Sequence, residues 1–63
     1  MCLSSVYDKT PDSEHLLLRN VQYFKIEGGD IICTDIMEQD LTIHGTLVSA
    51  NLVEGRVIVD VKQ

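Results

Sequence analysis

A chain of sixty-three residues holds one domain at most. At that size folding buries only about 60% of the surface the unfolded chain exposes, so a partner, metal or disulfide commonly assists. Ten acids against five bases give a net charge of −5, which opposes binding to nucleic acid or to an anionic membrane, where Lys and Arg must neutralise phosphate.

The hydrophobic share is 44% and is carried by Val, Ile and Leu, with Tyr7, Tyr23 and Phe24 as the only aromatics. The opening Met1-Cys2-Leu3-Ser4-Ser5 has neither the basic nor the apolar region of an export signal. No apolar run reaches the roughly 20 residues of a membrane span. The expected compartment is the cytoplasm, where Cys2 and Cys33 stay reduced.

Taken in chain order, a first strand is expected over residues 2–7. The stretch Asp8-Lys9-Thr10-Pro11-Asp12-Ser13 reads as a loop. The apolar run at 14–18 should pair back onto the first strand. Residues 21–27 are rich in β-formers, with Phe24 and Ile26 on one side. Gly28-Gly29-Asp30 breaks the run before Ile31-Ile32-Cys33-Thr34 resumes it, the signature of a hairpin. Met37 to Asp40 has room for one helical turn. Leu41, Ile43 and Leu47 share one face of the next segment, and Thr42, His44 and Thr46 the other. Val53-Glu54-Gly55 is a second turn, leading from residues 46–52 into a closing strand. There Val57, Val59 and Val61 alternate with polar neighbours, the mark of a half-buried strand. The expectation is a single all-β domain over residues 1–63, a small barrel or roll of about six short antiparallel strands. Closing the sheet or pairing it with another subunit removes the exposed edges.

No enzyme constellation stands out. His15 and His44 fall in expected strands with no flanking acid or nucleophile pattern, and no Lys-Ser or Lys-Thr follows Gly28-Gly29 as a phosphate loop requires. Both histidines read as exposed. Cys33, beside Ile31 and Ile32, and Phe24 read as core.

Cys2 is the candidate metal ligand. With Met1 removed, its amine and thiolate close a five-membered chelate. With Met1 retained, the Met1 amine, the Cys2 amide and the Cys2 sulfur serve instead. Thiolate with nitrogen donors in a plane suits Ni(II) or Cu(II), and two such termini in a homodimer complete four donors. The bland alternative is a small apolar residue opening a strand.

Met1-Cys2-Leu3, Val6-Tyr7, the acidic loop, Val21, Gly28-Gly29-Asp30 and the closing Arg56-Val57-Ile58-Val59 together resemble the CooT family across essentially the whole chain. The resemblance implies a homodimer of small β-barrel-like subunits that binds Ni(II) and assists maturation of carbon monoxide dehydrogenase or another nickel enzyme. It places the ligand at Cys2. Some members carry a His-rich tail that is missing here, which favours one site per dimer over storage. Two other functions stay open: a protein-interaction module docking through an edge strand, and RNA binding, which the charge opposes.

Overall fold

The computed structural model describes residues 3–62. Five strands run in chain order: β1 (Ser4–Asp8), β2 (Leu16–Glu27), β3 (Asp30–Asp35), β4 (Asp40–Asn51) and β5 (Arg56–Val61). They form a closed barrel in the same order. Neighbouring pairs are antiparallel except for β1 and β5, which close the ring in parallel. The parallel pair follows from counting. In an up-and-down ring an odd number of strands leaves the first and the last pointing the same way, so only a parallel ladder can join them.

The all-β barrel expected from the sequence is therefore present, with five strands in place of about six. Two pairs of expected segments are each one long, bent strand. Residues 16–18 of the expected 14–18 segment and all of 21–27 lie in β2, whose first part pairs with β1 (Val6↔Leu18, Tyr7↔Leu16) and whose second part pairs with β3 (Phe24↔Cys33, Ile26↔Ile31); Glu14 and His15 fall in the preceding 3-10 turn. The bend lies at Asn20, which has φ 57°, a left-handed conformation that Asn tolerates better than most residues. β4 pairs with β3 as far as His44↔Asp30, then with β5 from Gly45↔Val61 onward. The switch of partner falls at Gly45, where a Cβ would sit 2.2 Å from the Asp60 carbonyl oxygen. Only a residue without a side chain lets the two backbones come this close.

The Gly-Gly-Asp signal is a hairpin turn. Glu27 pairs with Asp30 across Gly28 and Gly29, and φ is positive at Gly28 (62°). A left-handed first turn residue is what a two-residue hairpin of type II′ requires. The single helical turn is not at Met37–Asp40. It is a 3-10 turn at Ser13–His15, followed directly by β2.

Val6, Val21, Ile31, Cys33, Ile43, Val57 and Val59 form the core, and Leu18, Phe24 and Val61 pack against it. The period-two faces of β3 and β5 point inward as expected. On β4 only Ile43 of the expected apolar face is buried, whereas Leu41 and Leu47 remain partly exposed. No helix among the described residues is long and apolar enough to cross a membrane.

Candidate functional site

The two cysteines have different fates. Cys33 lies on β3 between Ile32 and Thr34, is 0% exposed, and belongs to the core cluster. Burial pushes its thiol pKa up, because a thiolate loses its hydration there. Metal binding needs the thiolate and access to it, so Cys33 is a packing residue. Cys2, the ligand expected from the sequence, lies outside the described residues, as do Met1 and Gln63. The structure does show the segment that leads to it.

That segment enters the barrel between two turns. On one side Ser4 pairs with Val21 of β2. The preceding residue, Asn20, accepts a hydrogen bond from the Ile36 amide of the β3–β4 turn at 2.8 Å. On the other side the Ser5 amide donates to the Gly55 carbonyl at 2.8 Å, in the turn that precedes β5. The two turns carry the three most exposed large apolar side chains described, Met37 in one and Leu52 and Val53 in the other, with Val53 93% exposed and Ile36 exposed beside Met37. Leu3 is exposed between them. Scattered exposed apolar residues are ordinary, but a contiguous group marks an interaction surface. This cluster went unnoticed in the sequence because its members come from three separate stretches.

Both histidines are exposed, as expected, yet each meets an aspartate that linear spacing did not suggest. His44 Nδ1 lies 2.5 Å from Asp30 Oδ1 across the β3–β4 ladder. His15 Nδ1 lies 2.6 Å from Asp12 Oδ1 and 3.0 Å from Thr10 Oγ1. Hydrogen bonding to Asp12 raises the His15 pKa, and the same contact lowers that of Asp12. Neither arrangement is a catalytic triad. A relay needs the acid on one ring nitrogen and the nucleophile on the other, whereas Thr10 and Asp12 both approach Nδ1 of His15. Glu14 adjoins His15 in the sequence, but the acids that contact the two rings, Asp12 and Asp30, are brought there by the fold. Among the described residues no three His, Cys, Asp or Glu side chains converge into a group that could hold a metal ion.

A shallow cleft of about 290 Å³ opens on the far edge of the barrel, lined by Gly29, Gly45, Thr46, Asp60 and Lys62. Its acid is already engaged: Asp60 is paired with Lys9 at 3.1 Å. Asp8 also contacts Lys9, at 3.2 Å, and accepts the Val61 amide at 3.1 Å. These contacts tie the end of β1 to the end of β5.

Fold and site together define a small closed β-barrel whose one described cysteine is sealed in the core and whose strand β1 begins amid exposed apolar turns. The chain belongs to the family described as CO dehydrogenase accessory protein CooT, whose model matches residues 1–60. The barrel is similar to the crystal structure of a CooT candidate from Carboxydothermus hydrogenoformans, with a TM-score of 0.82 and 21% identity, covering 98% of this chain and 100% of that one. At that identity the likeness concerns the fold. No curated protein matches the chain.

Proposed function

We propose that this protein is a cytoplasmic, non-enzymatic accessory protein that carries Ni(II) as cargo for a nickel enzyme such as carbon monoxide dehydrogenase. It holds the ion through Cys2 where two copies of the chain meet. The observation that carries this reading is the contrast between the cysteines. The family match spans Cys2 and assigns an accessory role, while the other thiol, Cys33, is buried and protonated in the core. A nickel thiolate in this chain therefore has one source.

The donor chemistry fits. A cysteine thiolate with neighbouring backbone nitrogens offers the soft and borderline donors that suit Ni(II) in a planar array. Two copies supply a full set. The apolar turns flanking the start of β1 support the pairing, because Ile36, Met37, Leu52 and Val53 lose water when a second copy covers them. Thiolate coordination gives charge-transfer absorption. Cys2→Ser should abolish that absorption and leave far-UV dichroism and oligomer mass unchanged. Undiminished nickel affinity in Cys2→Ser would refute the assignment.

A second reading is a protein-interaction module without metal. It is favoured by an open edge: β2 pairs with β1 only as far as Val21, whereas its residues 23–27 pair only with β3. An extended peptide can add to such an edge. Nickel titration separates the two, because this module takes up none at micromolar metal.

A further inference from the structure

Two glycines line the cleft on the far edge of the barrel, and the fold explains only one of them. Gly45 is bare because a Cβ there would strike the Asp60 carbonyl oxygen. Gly29 has no such reason. It is the second residue of the β2–β3 turn and its φ is not positive, whereas a type II′ turn requires glycine only at its first position. A Cβ added at Gly29 meets no atom within 4 Å. What the missing side chain leaves open is the cleft itself, whose volume of about 290 Å³ lies at the small end of ligand sites.

The charged groups around the cleft are sorted by their partners. Asp30 is taken by His44 at 2.5 Å. Lys9 lies 3.1 Å from Oδ1 of Asp60 and leaves the second carboxylate oxygen without an ionic partner among the described residues. Lys62 makes no ion pair among the described residues. Its amide donates to the His44 carbonyl at 2.8 Å and so continues the ladder past β5. Lys62 therefore stands on the same face as Asp60, two residues and roughly 7 Å further along the strand. Thr46, opposite Asp60, adds a hydroxyl.

We propose that this cleft binds a small α-amino acid zwitterion, its carboxylate on Lys62 and Thr46, its ammonium on Asp60, and its side chain in the space that Gly29 leaves open. One acid and one base face the cleft, so the site offers a dipole and not a net charge. A simple anion meets Lys62 but also the open oxygen of Asp60, on a chain whose net charge is −5. A simple cation meets Asp60 and is opposed by Lys62. Only a ligand that carries both charges makes both charge-assisted hydrogen bonds. The inference is independent of Cys2 and of the proposed dimer.

The test follows the backbone amide resonances of the full chain by NMR, with L-alanine as the probe. Propionate and ethylammonium serve as analogues that each keep one of its two charges. L-Alanine should give saturable shifts at Gly29, Thr46, Asp60 and Lys62. Each analogue should bind about tenfold or more weakly, the usual loss with one charge-assisted hydrogen bond. Lys62→Gln should weaken L-alanine binding by about the same factor. Gly29→Leu fills the cleft at a position free of backbone strain, so it should weaken binding similarly and keep the β signature in far-UV dichroism. No saturable shift with L-alanine up to about 10 mM overturns the proposal. Propionate binding as well as L-alanine also overturns it, since the cleft would then be an anion site, and ethylammonium doing so would make it a cation site. Wild-type binding in Lys62→Gln or in folded Gly29→Leu overturns it too. If Gly29→Leu does not fold, Lys62→Gln decides alone, because Lys62 is exposed.

Discussion

The loop before β2 holds a pair of side chains that set each other's protonation, His15 and Asp12. His15 lies 2.6 Å from Asp12, and that bond stabilises the imidazolium, so the folded-state pKa of His15 lies above its ordinary value near 6.5. A raised pKa means that the stabilisation is fully present below pH 6.5 and is lost as pH rises through the folded pKa. Asp12 works in the opposite sense. Its pKa is lowered first by His15, so its contribution is present above the ordinary carboxylate range and disappears in acid. The clasp thus operates between the two titrations. It sits at the surface, where solvent screens it, so its effect is on the conformation of the loop before β2. In a proton NMR titration the His15 midpoint should lie above 6.5 and fall toward it in Asp12→Asn; an unchanged midpoint would show that the contact does not form in solution. Asp8 follows the same sign as Asp12. The Val61 amide is the main cause of its lowered pKa, so the link between β1 and β5 weakens in acid.

At the scale of elements, two strands do the work of four. β2 and β4, of 12 residues each, bend so that each half serves a different neighbour, and this is how so few strands enclose a core. The bends have separate chemical causes. β2 turns at Asn20, by a left-handed backbone. β4 changes partner at Gly45, by the absence of a side chain. Gly45→Ala puts a methyl group 2.2 Å from the Asp60 carbonyl oxygen, and the only relief is to part β4 from β5. We expect a loss of at least about 1–3 kcal/mol in denaturant unfolding, the usual cost of overpacking. Wild-type stability in Gly45→Ala would mean that the ladder is looser at this point than the geometry indicates.

For the whole molecule, the core is lean. Seven small aliphatic or thiol side chains fill it, with no aromatic among the fully buried residues. Apolar surface that a larger protein would bury is instead displayed around the start of β1. In the proposed dimer a second copy covers Val53, Leu52 and Met37 and so supplements the core. Val53→Glu places a charge in that surface without disturbing the barrel, since Val53 is 93% exposed. If the proposed dimer forms through this surface, the wild type sediments as a dimer and the variant as a monomer at the same concentration, with weaker nickel binding. A Val53→Glu dimer as tight as wild type would move the interface elsewhere on the barrel.

Much of the fold is legible in the residues because alternation and turn chemistry are local. Val57, Val59 and Val61 declare an inward face, Gly28-Gly29 declares a hairpin, and Cys33 between apolar neighbours declares itself core. All of these depend on spacings of a few residues. The merging of segments into β2 and β4 was hidden because a bend through Asn20 or Gly45 looks, in one dimension, like the end of a strand. The helical turn was misplaced because Ser13–His15 is held by contacts with Thr10 and Asp12, which composition does not reveal. The sequence by itself determined that the chain is all-β, acidic and thin-cored, with Cys2 near its start. Only the tertiary structure decided the parallel closure of β1 on β5, the pairing of His44 with Asp30, and the meeting of Gly29 with Asp60 and Lys62 in one cleft. Each of these joins residues distant in the chain, and which distant residues meet is set by closing the ring around one shared core.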